Sequence, residues 1–150
     1  MSDDNATSSS AGSAVPGTPP ASRRASTQLA ATLDAARRAR RFVDEVCRSW
    51  YIAPTRDIAF LVATELVENA LMHSRVDGDL TLELHLHGQH LRIAVHDPDP
   101  AAPLPPSATG GRPGGLAILA RLTVDWGSAP GLDHGKVVWA LVTVDQPAPG

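Results

Sequence analysis

At 150 residues the chain has room for one domain of ordinary size, and its single cysteine, Cys47, excludes an internal disulfide and any cysteine-rich metal site. A net charge of -3 gives no whole-chain attraction to nucleic acid. No run approaches the roughly 18 apolar residues of a bilayer span, and no apolar stretch follows Arg23 and Arg24 to make a signal peptide, so a soluble, cytoplasmic protein is expected.

Residues 1–26 are Ser, Ala, Gly and Pro with few large apolar side chains. Such a segment cannot bury enough surface to offset its ordering entropy, so it reads as a disordered tail ahead of a domain at 27–145, with a frayed end at 146–150. From Thr32 to about Trp50, the residues Leu33, Ala36, Ala39, Phe42, Val43, Val46 and Cys47 recur at three- and four-residue steps, which predicts an amphipathic helix. Arg37, Arg38, Arg40, Arg41 and Arg48 fill the intervening positions and read as a solvated face. Pro54 breaks this helix, and Thr55 is placed to cap a second one running through about Ser74.

After a turn at "VDGD", Leu80, Leu82, Leu84 and Leu86 alternate with Thr81, Glu83 and His85, the period of a half-buried antiparallel strand. "HGQH" supplies a hairpin, and Leu91, Ile93 and Val95 form the inward face of the returning strand, with Asp97 in the same phase. A Pro- and Gly-rich loop over 98–115 is longer than a simple connector needs to be. "LAILARL" reads as a short helix, and "TVDWG" and "KVVWALVTV" as two further strands joined by "SAPGLDHG". This order predicts a two-layer α+β sandwich, a mixed, mainly antiparallel sheet with helices packed on one face.

Three features sit badly with a purely structural reading. In the second helix, at about 100° per residue, Asn69 lies about 40° from Glu65 and Leu61 about 40° to its other side. Glu65 and Asn69 then share the apolar arc, while Glu68 falls at its margin and reads as solvated. Burying an unpartnered carboxylate costs several kcal/mol at the least, so something polar must face this stripe. An arginine partner for Glu65 and a backbone bond to Asn69 would suffice. The strand phase of Asp97, however, brings a second acid toward the helices, although an Asp-Pro turn is its plain alternative. Finally, "GGRPGGLAIL" puts glycines just ahead of a helix, where backbone N–H groups can bind a phosphate.

Taken in order, "ELVENALMHS", "VHDPDP", "GGRPGGLAIL" and "DWG" with "GKVVWALV" resemble the ATP-binding domain shared by histidine kinases, gyrase and mismatch-repair ATPases. They are most similar to the small stand-alone members typified by actinobacterial anti-sigma-factor serine/threonine kinases. The resemblance spans about 27–145 and implies the histidine kinase-like ATPase fold, with ATP and Mg²⁺ as cofactors. It implies Glu65 as the general base toward the attacking hydroxyl and Asn69 as the Mg²⁺ ligand, with His73 packed beside the site. Asp97 would accept from the adenine amine, and Gly111, Gly114, Gly115 and Leu116 would face the phosphates. Such a kinase phosphorylates an anti-anti-sigma-like partner, binds a sigma factor, contacts no nucleic acid or membrane directly, and can form a homodimer.

The chain departs from that pattern in its loop. Asp97-Pro98-Asp99-Pro100-Ala101 stands where Asp-x-Gly-x-Gly is usual, Pro113 stands ahead of Gly114-Gly115-Leu116, and Val137 and Val138 stand near the place of an early-strand threonine. Proline stiffens the backbone and removes an N–H that could bind phosphate. These changes keep open a second reading, a non-catalytic module that sequesters a transcription regulator with nucleotide structural or absent. A histidine kinase fragment fits less well, since no dimerisation helix pair with its histidine precedes the domain. Zinc is not expected either, because His85 and His87 share an outward strand face and two histidines do not close a zinc site.

Overall fold

The computed structural model describes residues 22–73, 78–99, 120–131 and 135–144. In chain order these form β1 (Arg23–Leu29), α1 (Ala35–Ser49), α2 (Arg56–His73), β2 (Leu80–His87), β3 (His90–Asp97), β4 (Asp125–Pro130) and β5 (Lys136–Thr143), with a single 3-10 turn over Ala53–Thr55 between the helices. Among the described residues the sheet has five strands, in the order β1-β2-β3-β5-β4. Each described pairing is antiparallel, which narrows the expected mixed sheet to an antiparallel one.

The period-two patterns hold along β2, where all four leucines from Leu80 to Leu86 are buried and the residues between them are half-buried. Leu91, Ile93 and Val95 lie across from them on β3, and Val138, Ala140 and Val142 continue the same face onto β5. Against this face pack Ala59, Val62, Leu66 and Val67 of α2, with Ala39, Val43 and Cys47 of α1 beside them in one core. The α+β character expected from the sequence is therefore present, with the helices and the sheet enclosing a common apolar layer.

Several local expectations change. The residues expected to end a disordered tail include Arg23 to Ser26, and these belong to β1, paired with Leu86 to Glu83 on β2. Only Leu29 of this strand is fully buried, so its sequence carries little apolar signal and its place depends on partners 51 to 61 residues away in the register Arg24↔His85 to Leu29↔Leu80. Leu33, counted into the first helix, lies ahead of α1 and is fully exposed. Thr55 does not cap α2: it ends the 3-10 turn, and its buried hydroxyl makes no hydrogen bond. β4 begins two residues later than expected and continues through Pro130, which an edge strand tolerates because one side of its backbone needs no ladder partner.

The end of α1 is closed in an unusual way. Ile52 N–H donates to the Cys47 carbonyl at 2.9 Å, and the chain turns through Tyr51 at φ 59°. That is the left-handed region, which favours glycine or asparagine at helix ends.

Candidate functional site

Asp97 closes β3 on the core side of the sheet and is 3% exposed. Its strand neighbour in the antiparallel register is Lys136, the first residue of β5 and 6% exposed. The Lys136 ammonium lies 3.4 Å from Asp97 Oδ2 and donates to the Asp99 carbonyl at 3.0 Å. The Asp99 N–H in turn donates to Asp97 Oδ1 at 2.9 Å. A carboxylate, an ammonium and a backbone carbonyl two residues past the end of β3 thus form one buried polar group in an otherwise apolar layer. Charge pairing and hydrogen bonding are what make such burial tolerable.

Glycine makes this group possible. A Cβ at position 135 would overlap the carbonyl oxygen of Asp97, so only Gly135 lets β5 start this close to the end of β3. Gly131 donates its N–H to the Gly135 carbonyl at 2.9 Å and closes the β4–β5 connection just below.

Glu65 and Asn69 lie on α2, the helix that packs on β3 and β5. Both are half-buried, and so is Glu68, which had been expected in solvent. Leu61, whose apolar character helped to place them inside the buried arc, is 51% exposed. The arc actually runs through Ala59, Val62, Ala63, Leu66, Val67 and Ala70. Asn69 then lies about 20° and Glu65 about 60° past its Val62 edge on an ideal helix. They line the flank of the core stripe, where a side chain can be partly shielded and still reach a cleft. Glu65 is not a lone charge there, since it makes an interaction within the protein. His73 ends the same helix, but its side chain, like Gly111, Gly114, Gly115 and Leu116 altogether, lies outside the described residues.

Lys136 and Asp99 are the site residues that sequence reading passed over. Lys136 is the only lysine in the chain and alternates with Val138, Ala140 and Val142, a phase that already put it on the inner face. Its partner emerges only once the β3–β5 register is known.

Two other polar clefts flank the sheet. One, of about 390 Å³, lies mainly on the face away from the helices, along Thr81, Glu83 and His96, and reaches Asp97 and Lys136 at the strand ends. Glu83 there is 3.5 Å from Arg92 and 3.6 Å from His96. The other, of about 530 Å³, runs between β1 and the arginine side of α1. Asp34 gathers both Arg37 and Arg38 at its mouth. On the outward sheet face His85 buries an Nε2 that has no hydrogen-bond partner. Desolvation, reinforced by the nearby charges of Arg24 and His87, pushes its pKa below the ordinary 6.5 and favours the neutral ring. Among the described residues no cluster of three or more His, Cys, Asp or Glu side chains is arranged to hold a metal ion, and no helix is long and apolar enough to cross a membrane.

No protein-family model matches the chain, and no curated protein matches it.

Proposed function

We propose that the chain is an ATP-binding regulatory serine/threonine protein kinase of the anti-sigma-factor type, which acts in the cytoplasm on an anti-anti-sigma-like partner and binds a sigma factor. The observation that carries this reading is Asp97, a carboxylate buried at the end of β3 on the face that α2 packs against, with Glu65 and Asn69 along the flank of that helix. In the histidine kinase-like ATPase arrangement that this recommends, Asp97 accepts a hydrogen bond from the adenine amine. Asn69 contributes one hard amide oxygen from a half-buried position, which fits Mg²⁺, an ion that binds few protein oxygens and keeps waters and phosphates for the rest. Glu65, one turn before Asn69, would take the proton from a serine or threonine hydroxyl as that oxygen bonds to the γ-phosphorus, the bond from the γ-phosphorus to the β–γ bridging oxygen breaks and ADP leaves. By the same resemblance His73, one turn after Asn69, would stand beside the site, and Gly111, Gly114, Gly115 and Leu116 would offer backbone N–H groups to the phosphates. When bound, Mg·ATP supplies the phosphoryl group and most of the charge neutralisation.

Purified protein incubated with labelled ATP, Mg²⁺ and the small anti-sigma-antagonist-like protein encoded nearest to it tests the reading. Transfer to that partner, abolished in Glu65→Ala, is expected. Absence of transfer, or transfer indifferent to Glu65→Ala, removes the catalytic role.

A second reading draws on one observation, the engagement of Asp97 by Lys136 and by the Asp99 N–H. A carboxylate so held can be a structural element of a module that sequesters a transcription regulator, with nucleotide structural or absent. Calorimetry with ATP and ADP separates the two, because binding of neither leaves only the sequestering role.

A further inference from the structure

Among the described residues, Lys136 is the one buried cation, and β-sheet burial alone gives no reason for it: valine occupies the next inner-face position, Val138. An ammonium carries three N–H donors. Two are directed at Asp97 Oδ2 and the Asp99 carbonyl, and no third acceptor for it lies among the described residues. The group therefore presents a donor immediately beside an acceptor, fixed in order by the strand register: carboxylate at the end of β3, ammonium at the start of β5.

We infer that Lys136 reads the base of the nucleotide, donating a hydrogen bond to the ring nitrogen N1 of adenine while Asp97 accepts from the adjacent exocyclic amine. This rests on the nucleotide reading proposed above. Adenine carries an amine donor and a ring-nitrogen acceptor side by side, which is the complement of the Asp97–Lys136 pair. Guanine carries a carbonyl and a ring N–H at the corresponding positions, in the reversed order. To satisfy the pair it must turn in its plane, which moves the sugar and phosphates away from Asn69. The ammonium thus adds a second, oppositely signed contact to the one that Asp97 supplies, and the base is selected by the order of the two. The buried ion pair need not break when nucleotide binds, because the contact uses the third donor.

Calorimetric titration of the full chain with Mg·ADP and with the 1-deaza analogue, in which a C–H replaces N1, tests the contact. Wild-type protein is expected to bind the analogue about tenfold or more weakly, the value of a hydrogen bond to a charged donor. In Lys136→Met the ratio between the two ligands is expected to fall toward one, while ADP itself still binds through Asp97 and the phosphates. Equal affinities in the wild type, a comparison that needs no variant to fold, overturn the role of Lys136 and leave the nucleotide reading standing. So does an undiminished ratio in a folded Lys136→Met. No binding of ADP at all removes both.

Discussion

Two ionic clusters in this molecule use the same functional groups under opposite solvation. Asp97 and Lys136 meet with side chains 1% and 7% exposed, joined to the Asp99 backbone, while Asp34 holds Arg37 and Arg38 at the exposed start of α1. The first pair is a cross-strand contact that exists only because β3 and β5 are in register. The second lies within one helical turn and needs nothing but the helix. The contrast teaches that a carboxylate–cation contact carries weight in this protein according to what surrounds it. In water the gain is screened and offset by side-chain entropy, whereas in the core the loss of one partner strands the other charge.

The sharpest way to break that comparison is Lys136→Ala. It is expected to cost about 3–5 kcal/mol in urea unfolding, because it leaves Asp97 buried without its cation. Combining Lys136→Met with Asp97→Asn should recover much of that loss, and a double variant no more stable than the sum of its parts would mean that the two do not interact. Cys47 probes the same buried layer by chemistry. Burial, followed by the charge of Asp44, pushes its thiol up to about 11, so labelling by iodoacetamide at pH 8 should be negligible in the native state and appear only as urea unfolds the chain. Rapid native-state labelling would show that the α1–sheet layer opens.

At the far end of α1 the backbone matters more than any surface charge. Tyr51 is 81% exposed and sits at φ 59°, so Tyr51→Gly relieves left-handed strain with little packing to lose. A gain of about 1 kcal/mol in stability is expected from it. On the outward sheet face, the pKa of His85 is depressed relative to the unfolded chain. Its neutral form therefore contributes stability that is complete above pH 6.5 and is lost as pH falls through the folded pKa. Replacing His85 with glutamine should flatten the stability profile below pH 6.5, as followed by thermal melts. The smallest effect is expected at the exposed cluster. Hydrogen bonds from Arg37 and Arg38 lower the Asp34 pKa, so its contribution is present above 3.8 and lost as pH falls below that. Asp34→Ala should shift the melting temperature far less than Lys136→Ala, and the shift should vanish in high salt.

The elements that could be read directly were those whose signal is local. Leucines at every second position from Leu80 to Leu86 specify a strand and its buried face, and Asp97 could be assigned inward from the phase of Leu91, Ile93 and Val95 alone. The repeat of Ala39, Val43 and Val46 likewise specifies α1. β1 was not legible in this way. Arg23 to Gln28 has no continuous apolar face, and it becomes a strand because β2 offers an open edge to pair with. Glu65 and Asn69 were found by their type, but their position relative to the core was misjudged, because Leu61 is apolar and yet exposed.

What the amino-acid order determined by itself, then, was periodicity: which residues are helical or extended, and which side of each element is apolar, since those follow from backbone geometry within a few residues. What only the tertiary structure decided was partnership. The register of β5 on β3 set Lys136 opposite Asp97, and Gly135 allowed the two strand ends to come close enough for the contact. Residues 39 apart in sequence carry no local mark of each other; the buried layer joins them because an ammonium and a carboxylate excluded from water are stable only together.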